Sequence, residues 1–222
     1  MTLAIWTDFR GVLTVPLSEG LARYCQDKPF TSRQLGTCLA ALANRHGCPD
    51  GMAVLDSGVL TEREWLDEIS GLLSQQFGIT GSFSGMAEEW WSDRRLNHQW
   101  LQFLQERRQA GDFVAVMSNL PPEWRGRFEE FLPWHDLFDA VIVSCEVGAR
   151  KPESDIFREA ERVSRVPGRS SVLVDDITAN VQGARDAGWN AVVGGGDATD
   201  ASIAYIEELV SLRSGLQEGQ HS

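Results

Sequence analysis

Apolar positions recur along this chain in two rhythms, and the change between them divides it. Residues 2–6 form a short apolar run of β type that gives way to Thr7 and Asp8. From Pro16 to about residue 98 the spacing is helical, and no strand is expected there. Leu21 to Cys25 reads as a short amphipathic helix. Thr31 to Arg45 reads as a second, with Leu35, Leu39 and Leu42 on one face. Gly51 to Gly58 is a turn-rich link. Thr61-Glu62-Arg63-Glu64 has the capping-box pattern, a threonine N-cap with glutamate three residues on. It opens a helix carrying Trp65, Ile69, Leu72 and Leu73. Gly78 to Gly85 is a loop, and Glu88 to Trp91 a last helical piece.

Strands and helices then alternate. Leu96 to Ala110 reads as a helix stopped by Gly111. Phe113 to Met117 is a buried strand ending at Ser118-Asn119, and Pro121 to Phe131 a helix with proline near its start. Ala140 to Val143 is a strand, Glu153 to Val163 a helix, and Ser171 to Val174 a strand ending at Asp175-Asp176. Asn180 to Ala187 is a helix closed by Gly188, and Asn190 to Val193 a last strand. A Gly194-Gly195-Gly196 loop leads to a final helix, Asp200 to Leu212, and residues 214–222 are expected to fray. Strands alternating with helices of ten to fifteen residues predict an α/β fold, a parallel sheet with helices on both faces. About eighty residues of helices interrupt it after its first strand.

Composition narrows the partners. The chain has 222 residues, 42% of them hydrophobic, with a formal net charge of -12. An acidic surface field disfavours nucleic acid and anionic membrane surfaces. An anionic substrate then needs a local positive site. Cys25, Cys38, Cys48 and Cys145 form no CxxC pair and fit no zinc spacing. Free thiols, the lack of a signal-like N-terminus and the lack of a run near ~18 apolar residues place the expected protein in the cytoplasm. Its oligomeric state is not readable.

The chemistry gathers at strand ends. The first strand runs into Asp8, the second ends at Ser118-Asn119, the third is followed by Arg150-Lys151-Pro152, and the fourth ends at Asp175-Asp176. In an open α/β sheet such ends meet at one edge, where ligands bind. A carboxylate at the Asp8 position can be a nucleophile, a metal ligand or both. Gly11 after it lets the backbone turn sharply. Asp8 and Asp176 offer hard oxygens to Mg²⁺, which takes one or two carboxylates and keeps several waters. Lys151 offers a positive charge for a phosphoryl group or the nucleophile. Ser118 offers a hydroxyl for a non-bridging oxygen. Phosphoryl transfer is mostly positioning and charge stabilisation, and this set supplies both.

These stretches resemble the motifs of the haloacid dehalogenase (HAD) superfamily, in order and spacing, almost end to end. Asp8-Phe9-Arg10-Gly11-Val12-Leu13-Thr14 is similar to the first motif and Met117-Ser118-Asn119 to the second. Gly148-Ala149-Arg150-Lys151-Pro152, with Ile156-Phe157, is similar to the third. Asp175-Asp176-Ile177-Thr178-Ala179-Asn180-Val181, with Gly183-Ala184-Arg185 and Ala187-Gly188-Trp189, is similar to the fourth. The resemblance implies a Rossmann-like core at 1–15 and 97–222, with a helical cap at 16–96. It implies a hydrolase in which a small phosphorylated metabolite transfers its phosphoryl group to Asp8 and then to water. Mg²⁺ would be held by Asp8, the Arg10 carbonyl and Asp176, with Asp175 and Asn180 in or next to the coordination sphere. Ser118, Asn119 and Lys151 would bind the phosphoryl group.

One position departs from the family pattern. Phosphatases of this kind usually carry a second aspartate two residues after the nucleophile as general acid and base. Here it is Arg10, which cannot shuttle a proton near neutral pH. General acid–base help is worth ~10²–10⁴-fold. Three outcomes are compatible: a substrate with a good leaving group such as an acyl phosphate or diphosphate, a base from the cap, or loss of hydrolysis. Three other functions stay open beside the phosphatase. A 2-haloacid dehalogenase would use Asp8 without metal, against which stand the Asp175-Asp176 pair and the lack of an aromatic at position 10. A lyase or cyclase would ionise an isoprenoid diphosphate beneath a tryptophan-rich cap. A non-catalytic binding protein would pair Arg10 with Asp8.

Other residues are read as structural. Of eight tryptophans, Trp65, Trp90, Trp91 and Trp100 lie in or beside the cap, and core packing is the expected use of large aromatics. Trp6 and Trp189 are expected in the core. His46, His98, His135 and His221 sit in no metal spacing. Arg94-Arg95 are expected on a solvated face, with reach to the site from the cap side as the alternative; Glu207-Glu208 are expected on a solvated helix face, and the triple glycine in a plain loop or in close approach to a phosphate.

Overall fold

The computed structural model describes residues 2–14, 16–92 and 94–218; His221 lies outside them. Five parallel strands form one sheet in the order β3-β2-β1-β4-β5. They are β1 (Ala4–Thr7), β2 (Phe113–Ser118), β3 (Ala140–Val143), β4 (Ser171–Asp175) and β5 (Asn190–Val193). β1 is central, with Trp6 opposite Ala115 on one side and Leu173 on the other. The chain reverses its winding about β1, so the site edge is the switch point of the sheet.

Five helices precede β2 within the insertion: α1 (Leu17–Gln26), α2 (Ser32–His46), α3 (Gly51–Asp56), α4 (Glu62–Phe77) and α5 (Met86–Trp91). The capping box at Thr61 and Glu64 is formed, and a second one, Thr31 with Gln34, opens α2. The stretch expected as a turn-rich link is instead α3. Asp50 caps it by accepting from the Ala53 N–H at 2.8 Å, and six residues between glycines are too few to show a helical period.

The remaining helices are α6 (His98–Gln109), α7 (Arg125–Phe131), α8 (Trp134–Leu137), α9 (Ser144–Val147), α10 (Ser154–Ser164), α11 (Thr178–Asp186) and α12 (Thr199–Glu218). Alternation along the strands sorts the two faces. Ala4, Trp6, Ala115, Met117 and Leu173 pack on α10 and α11, with Phe157 and Trp189 among them. Ile5, Val114, Val116, Val172 and Val174 face the other way and join one continuous apolar cluster with α6, α12 and the inserted helices. Trp65, Trp90 and Trp100 are buried in that cluster and Trp91 packs against it. Trp65 Nε1 donates to the Gly51 carbonyl at 2.8 Å and Trp100 Nε1 to Thr7 Oγ1 at 2.9 Å.

The two links between insertion and sheet run side by side. Thr14 bridges Leu96 in antiparallel fashion, and the Asn97 N–H donates to the Leu13 carbonyl at 2.8 Å. Arg94 clamps them, against the expectation of a solvated face. It is buried, its Nη1 donates to Thr14 Oγ1 at 2.6 Å, and its Nε and Nη2 donate to the Trp90 carbonyl. Its guanidinium lies 4.6 Å from the Trp90 ring centroid. Burial, then the charges of Arg10 and Arg23, push its pKa down to about 9. Arg95 is the exposed member of the pair.

The triple glycine is not a plain loop. At Gly195, φ is 95° and ψ 161°, a region nearly reserved for glycine. A Cβ there would sit 1.8 Å from the Gly11 carbonyl oxygen. The loop after β5 thus presses on the loop after β1. Gly195→Ala is expected to lower stability by about 1–3 kcal/mol, read from urea unfolding. An unchanged midpoint would show that these loops yield freely.

Candidate active site

A strand contributes polar atoms only where it stops, and here three stops and one following loop converge. Asp8 follows β1 and continues its ladder, its N–H donating to the Val174 carbonyl at 2.8 Å. Asp175 closes β4, Ser118 closes β2, and Lys151 comes from the loop after α9. All four are buried. Lys151 Nζ reaches Asp8 Oδ1 at 2.6 Å, Asp175 Oδ2 at 2.6 Å and the Met117 carbonyl at 2.7 Å. An ammonium has three protons, and each has an acceptor. Burial alone would lower the Lys151 pKa, but Asp175 and Asp8 outweigh it and raise it.

Asn119 and Asn180 fix the charged groups. The Asn119 side chain donates to the Lys151 carbonyl at 3.0 Å and accepts from the Lys151 N–H at 2.9 Å. It lines the cavity, and one of its two N–H donors and its oxygen hold Lys151. Asp175 Oδ1 accepts from the Ile177 N–H at 2.9 Å and Asn180 Nδ2 at 3.0 Å. Both Asp175 oxygens are therefore engaged. Ser118 is fully buried, and its hydroxyl has only a long 3.5 Å contact to the Asn119 carbonyl. It is not among the residues that line the cavity.

Asp8, Asp175 and Asp176 each present a ligand atom within 4.8 Å of the others. Burial pushes the Asp8 carboxyl up to about 7; Lys151 opposes this, and Asp175 and Asp176 add to it. Burial, then Asp175, push Asp176 up to about 6. Three carboxylates against one ammonium leave an excess of negative charge that suits a divalent cation. Asp176 Oδ1 is buried without a hydrogen-bond partner. The Arg10 carbonyl accepts no hydrogen bond from the described residues. Gly11, with φ 98°, lies so close that a Cβ there would meet Asp176 Oδ2 at 2.0 Å. The donor set fits Mg²⁺, with Asp8 and Asp176 holding the uncommitted oxygens and Asp175 behind them.

Arg10 does not pair with Asp8. Its Nη2 donates to the Asn119 carbonyl at 2.6 Å and to Asp56 Oδ2 at 3.2 Å. Asp56 ends α3, is 1% exposed, and also faces Arg150 Nη2 at 3.6 Å. Arg150 in turn reaches Asp50 at 3.2 Å. Burial raises the Asp56 pKa, against the pull of Arg10 and Arg150. This ion-pair chain joins α3 to the sheet edge. Asp56 was not among the candidate residues, although a carboxylate ending the apolar run Met52 to Leu55 was an available signal; Arg150 was noted only as the neighbour of Lys151. A cavity of about 580 Å³ lies over these groups, lined by Asp8, Arg10, Asp56, Asn119, Lys151 and Asp176 on one side and by α2 on the other.

Sequence comparison agrees with this geometry. Residues 8–188 match the haloacid dehalogenase-like hydrolase family. The chain belongs to that family, and its HAD-type α/β core is the sheet described above. Among curated relatives, the glyceraldehyde 3-phosphate phosphatase of Methanothermobacter thermautotrophicus is 35% identical over 75 residues, 33% of each chain. The matches span from 33% to 63% of such relatives' own lengths. Among solved structures, a HAD family enzyme of Bacteroides thetaiotaomicron in complex with magnesium and inorganic phosphate superposes with TM-score 0.60 at 18% identity, covering 89% of this chain and 96% of that one. The L-2-haloacid dehalogenase of Xanthobacter autotrophicus superposes with TM-score 0.61 at 19% identity, covering 95% and 83%. The fold therefore does not separate phosphatase from dehalogenase. No helix among the described residues is long and apolar enough to cross a membrane.

Asp56→Ala leaves two buried guanidiniums short of a partner, and a loss of about 3–5 kcal/mol is expected, measured by urea unfolding. A loss within the range of exposed pairs, under about 1 kcal/mol, would show that the pairing is solvated.

Proposed function

We propose that the protein is a Mg²⁺-dependent phosphatase that passes the phosphoryl group of a small phosphorylated substrate to Asp8 and then to water, with residues 16–96 serving as its cap. The observation that carries this reading is the cluster of Asp8, Asp175 and Asp176 around a single lysine, with the orphaned Asp176 Oδ1 at its rim. A metal-free dehalogenase gains nothing from carboxylates that repel one another. The phosphatase name of the Methanothermobacter relative supports the same choice. Bound Mg²⁺, held by Asp8, Asp176 and the Arg10 carbonyl, supplies charge neutralisation at the phosphoryl oxygens.

The chain's own residues do the rest. Asp8 attacks phosphorus through its carboxylate, which Lys151 orients by holding Oδ1. Asn119 positions Lys151, and Asn180 positions Asp175. Ser118, buried behind the cavity lining, supports the end of β2 beside Asn119. Arg10, anchored to Asp56 and the Asn119 carbonyl, adds positive charge beside the leaving group and transfers no proton. The non-catalytic reading loses its basis, since Arg10 is paired elsewhere and leaves Asp8 open to the cavity. The cyclase reading loses its own, since no tryptophan lines that cavity.

Without a proton shuttle, the first step favours good leaving groups and the second is slow. With p-nitrophenyl phosphate and Mg²⁺, a burst of up to one p-nitrophenol per enzyme is expected before the steady state. Asp8→Asn abolishes both phases. Arg10→Asp speeds the steady state by about 10²-fold or more, the usual worth of acid–base help. Turnover that survives Asp8→Asn would sink the reading.

A second consequence concerns the metal. Asp176→Asn is expected to weaken Mg²⁺ binding by about 10-fold or more, by analogy with the loss of supporting ligands, measured by calorimetry. Unchanged affinity would place the ion elsewhere.

A further inference from the structure

We infer that the cavity over Asp8 takes an acyl phosphate whose apolar chain lies along α2. The inference rests on the phosphatase reading above and names its substrate class. Two independent features lead to it, one from the cavity wall and one from the chemistry of position 10.

The wall is amphiphilic. Its floor carries Asp8, Lys151, Asp176 and Asn180, where a phosphoryl group belongs. Away from the floor, Leu21, Leu39, Ala40, Ala43, Met52 and Ile177 form one apolar side, and Arg10, Asp50, Asp56 and Arg150 form the other. Gly36, Leu39, Ala40 and Ala43 follow the i, i+3, i+4, i+7 spacing, so one face of α2 runs along the cavity. Asn44 is the one polar side chain that α2 adds among the described residues. At Gly36 an added Cβ would meet nothing within 4 Å. Glycine inside a helix is unfavourable relative to alanine, and no neighbour requires it here. Its consequence is an open groove beside Ala40. The cations in the wall, Arg10 and Arg150, pair with Asp56 and Asp50, and only Arg10 Nη1 and Arg150 Nε among their buried nitrogens lack a hydrogen-bond partner. The apolar face of α2 suits an alkyl chain, which needs no polar partner, and a sugar would leave that face unused. A volume of about 580 Å³ accommodates such a chain.

The chemistry selects the same class. Position 10 holds charge but no transferable proton, so the leaving group must depart as a stable anion. In an acyl phosphate, an Asp8 oxygen attacks phosphorus, the bond from phosphorus to the acyl oxygen breaks, and the electron pair leaves as a carboxylate. Carboxylates are ionised at neutral pH and need no donor. Water then attacks the phosphorus of aspartyl-phosphate and the bond to Asp8 breaks. Both water protons leave on the phosphate product, so no enzyme base is consumed. Asp56, engaged by two guanidiniums, is not free to act as one.

The test is a chain-length series read two ways. Phosphate release is followed with acetyl, butyryl, hexanoyl and octanoyl phosphate, beside the n-alkyl phosphates of equal length and glucose 6-phosphate. Binding of the same n-alkyl phosphates to Asp8→Asn is followed by calorimetry. kcat/KM for the acyl series is expected to rise three- to fourfold per methylene, the preference of one buried CH₂, and Kd to fall by the same factor. Alkyl phosphates of equal length are expected to turn over at least 100-fold more slowly. Gly36→Leu, checked for folding by circular dichroism, is expected to lower the octanoyl-to-acetyl ratio at least fivefold. Chain-independent binding, or glucose 6-phosphate as the better substrate, overturns the apolar groove. Equal turnover of acyl and alkyl series overturns the acyl assignment. If acetyl phosphate and p-nitrophenyl phosphate also fail, the hydrolytic reading has fallen, and the calorimetric series still decides the groove on its own.

Discussion

The site depends on a buried ammonium. A charge removed from water is costly unless every proton is matched, and Lys151 is matched by Asp8, Asp175 and the Met117 carbonyl. Those partners come from the ends of three adjacent strands, β1, β2 and β4. The lysine thus holds the edge of the sheet together at the point where the winding reverses. Its own backbone is fixed by Asn119, and Asp175 by Asn180 and the Ile177 N–H. What remains unspent is one oxygen of Asp8 and the carboxylate of Asp176, and it is there that the chemistry is free to occur.

A second ionic chain, buried except at its Asp50 end, ties the inserted helices to that edge. Arg10, Asp56, Arg150 and Asp50 alternate in sign from the loop after β1 to the start of α3. Buried pairs of this kind contribute little net stability but are expensive to break. Their effect is to fix where α3 and α2 stand over Asp8. The Arg94 clamp on Thr14 does the same for the two linking segments. Arg10 connects the loop after β1 to the insertion that shapes the cavity, and the proposed leaving group that needs no proton is consistent with that role.

Much of this was legible along the chain. Each strand appears as an apolar run broken by a polar residue, and the sheet edge collects those breaks at Asp8, Ser118 and Asp175. The capping box at Thr61 announces α4 because its two hydrogen bonds are local. What was hidden is non-local. Asp56 becomes a site residue only when α3 folds over Arg10, and six residues between glycines show no period. Arg94 looks solvated because its neighbours in sequence are polar, while its partners are Thr14 and the Trp90 carbonyl. Asn119 reads as a ligand group, and its hold on Lys151 shows only in the folded chain. The tryptophans invite a functional reading, but their indoles pack among Phe9, Phe128 and Trp124 and do not face the cavity.

Asp8 is proposed as the phosphoryl-accepting group. The most direct measurement is to quench the protein during turnover of acetyl phosphate with Mg²⁺ and locate the phosphoryl group by peptide mass spectrometry. The account predicts one acid-stable, base-labile phosphoryl group on the peptide containing Asp8, absent in Asp8→Asn. Turnover with no modified carboxylate, or a phosphoryl group on another residue, would contradict it.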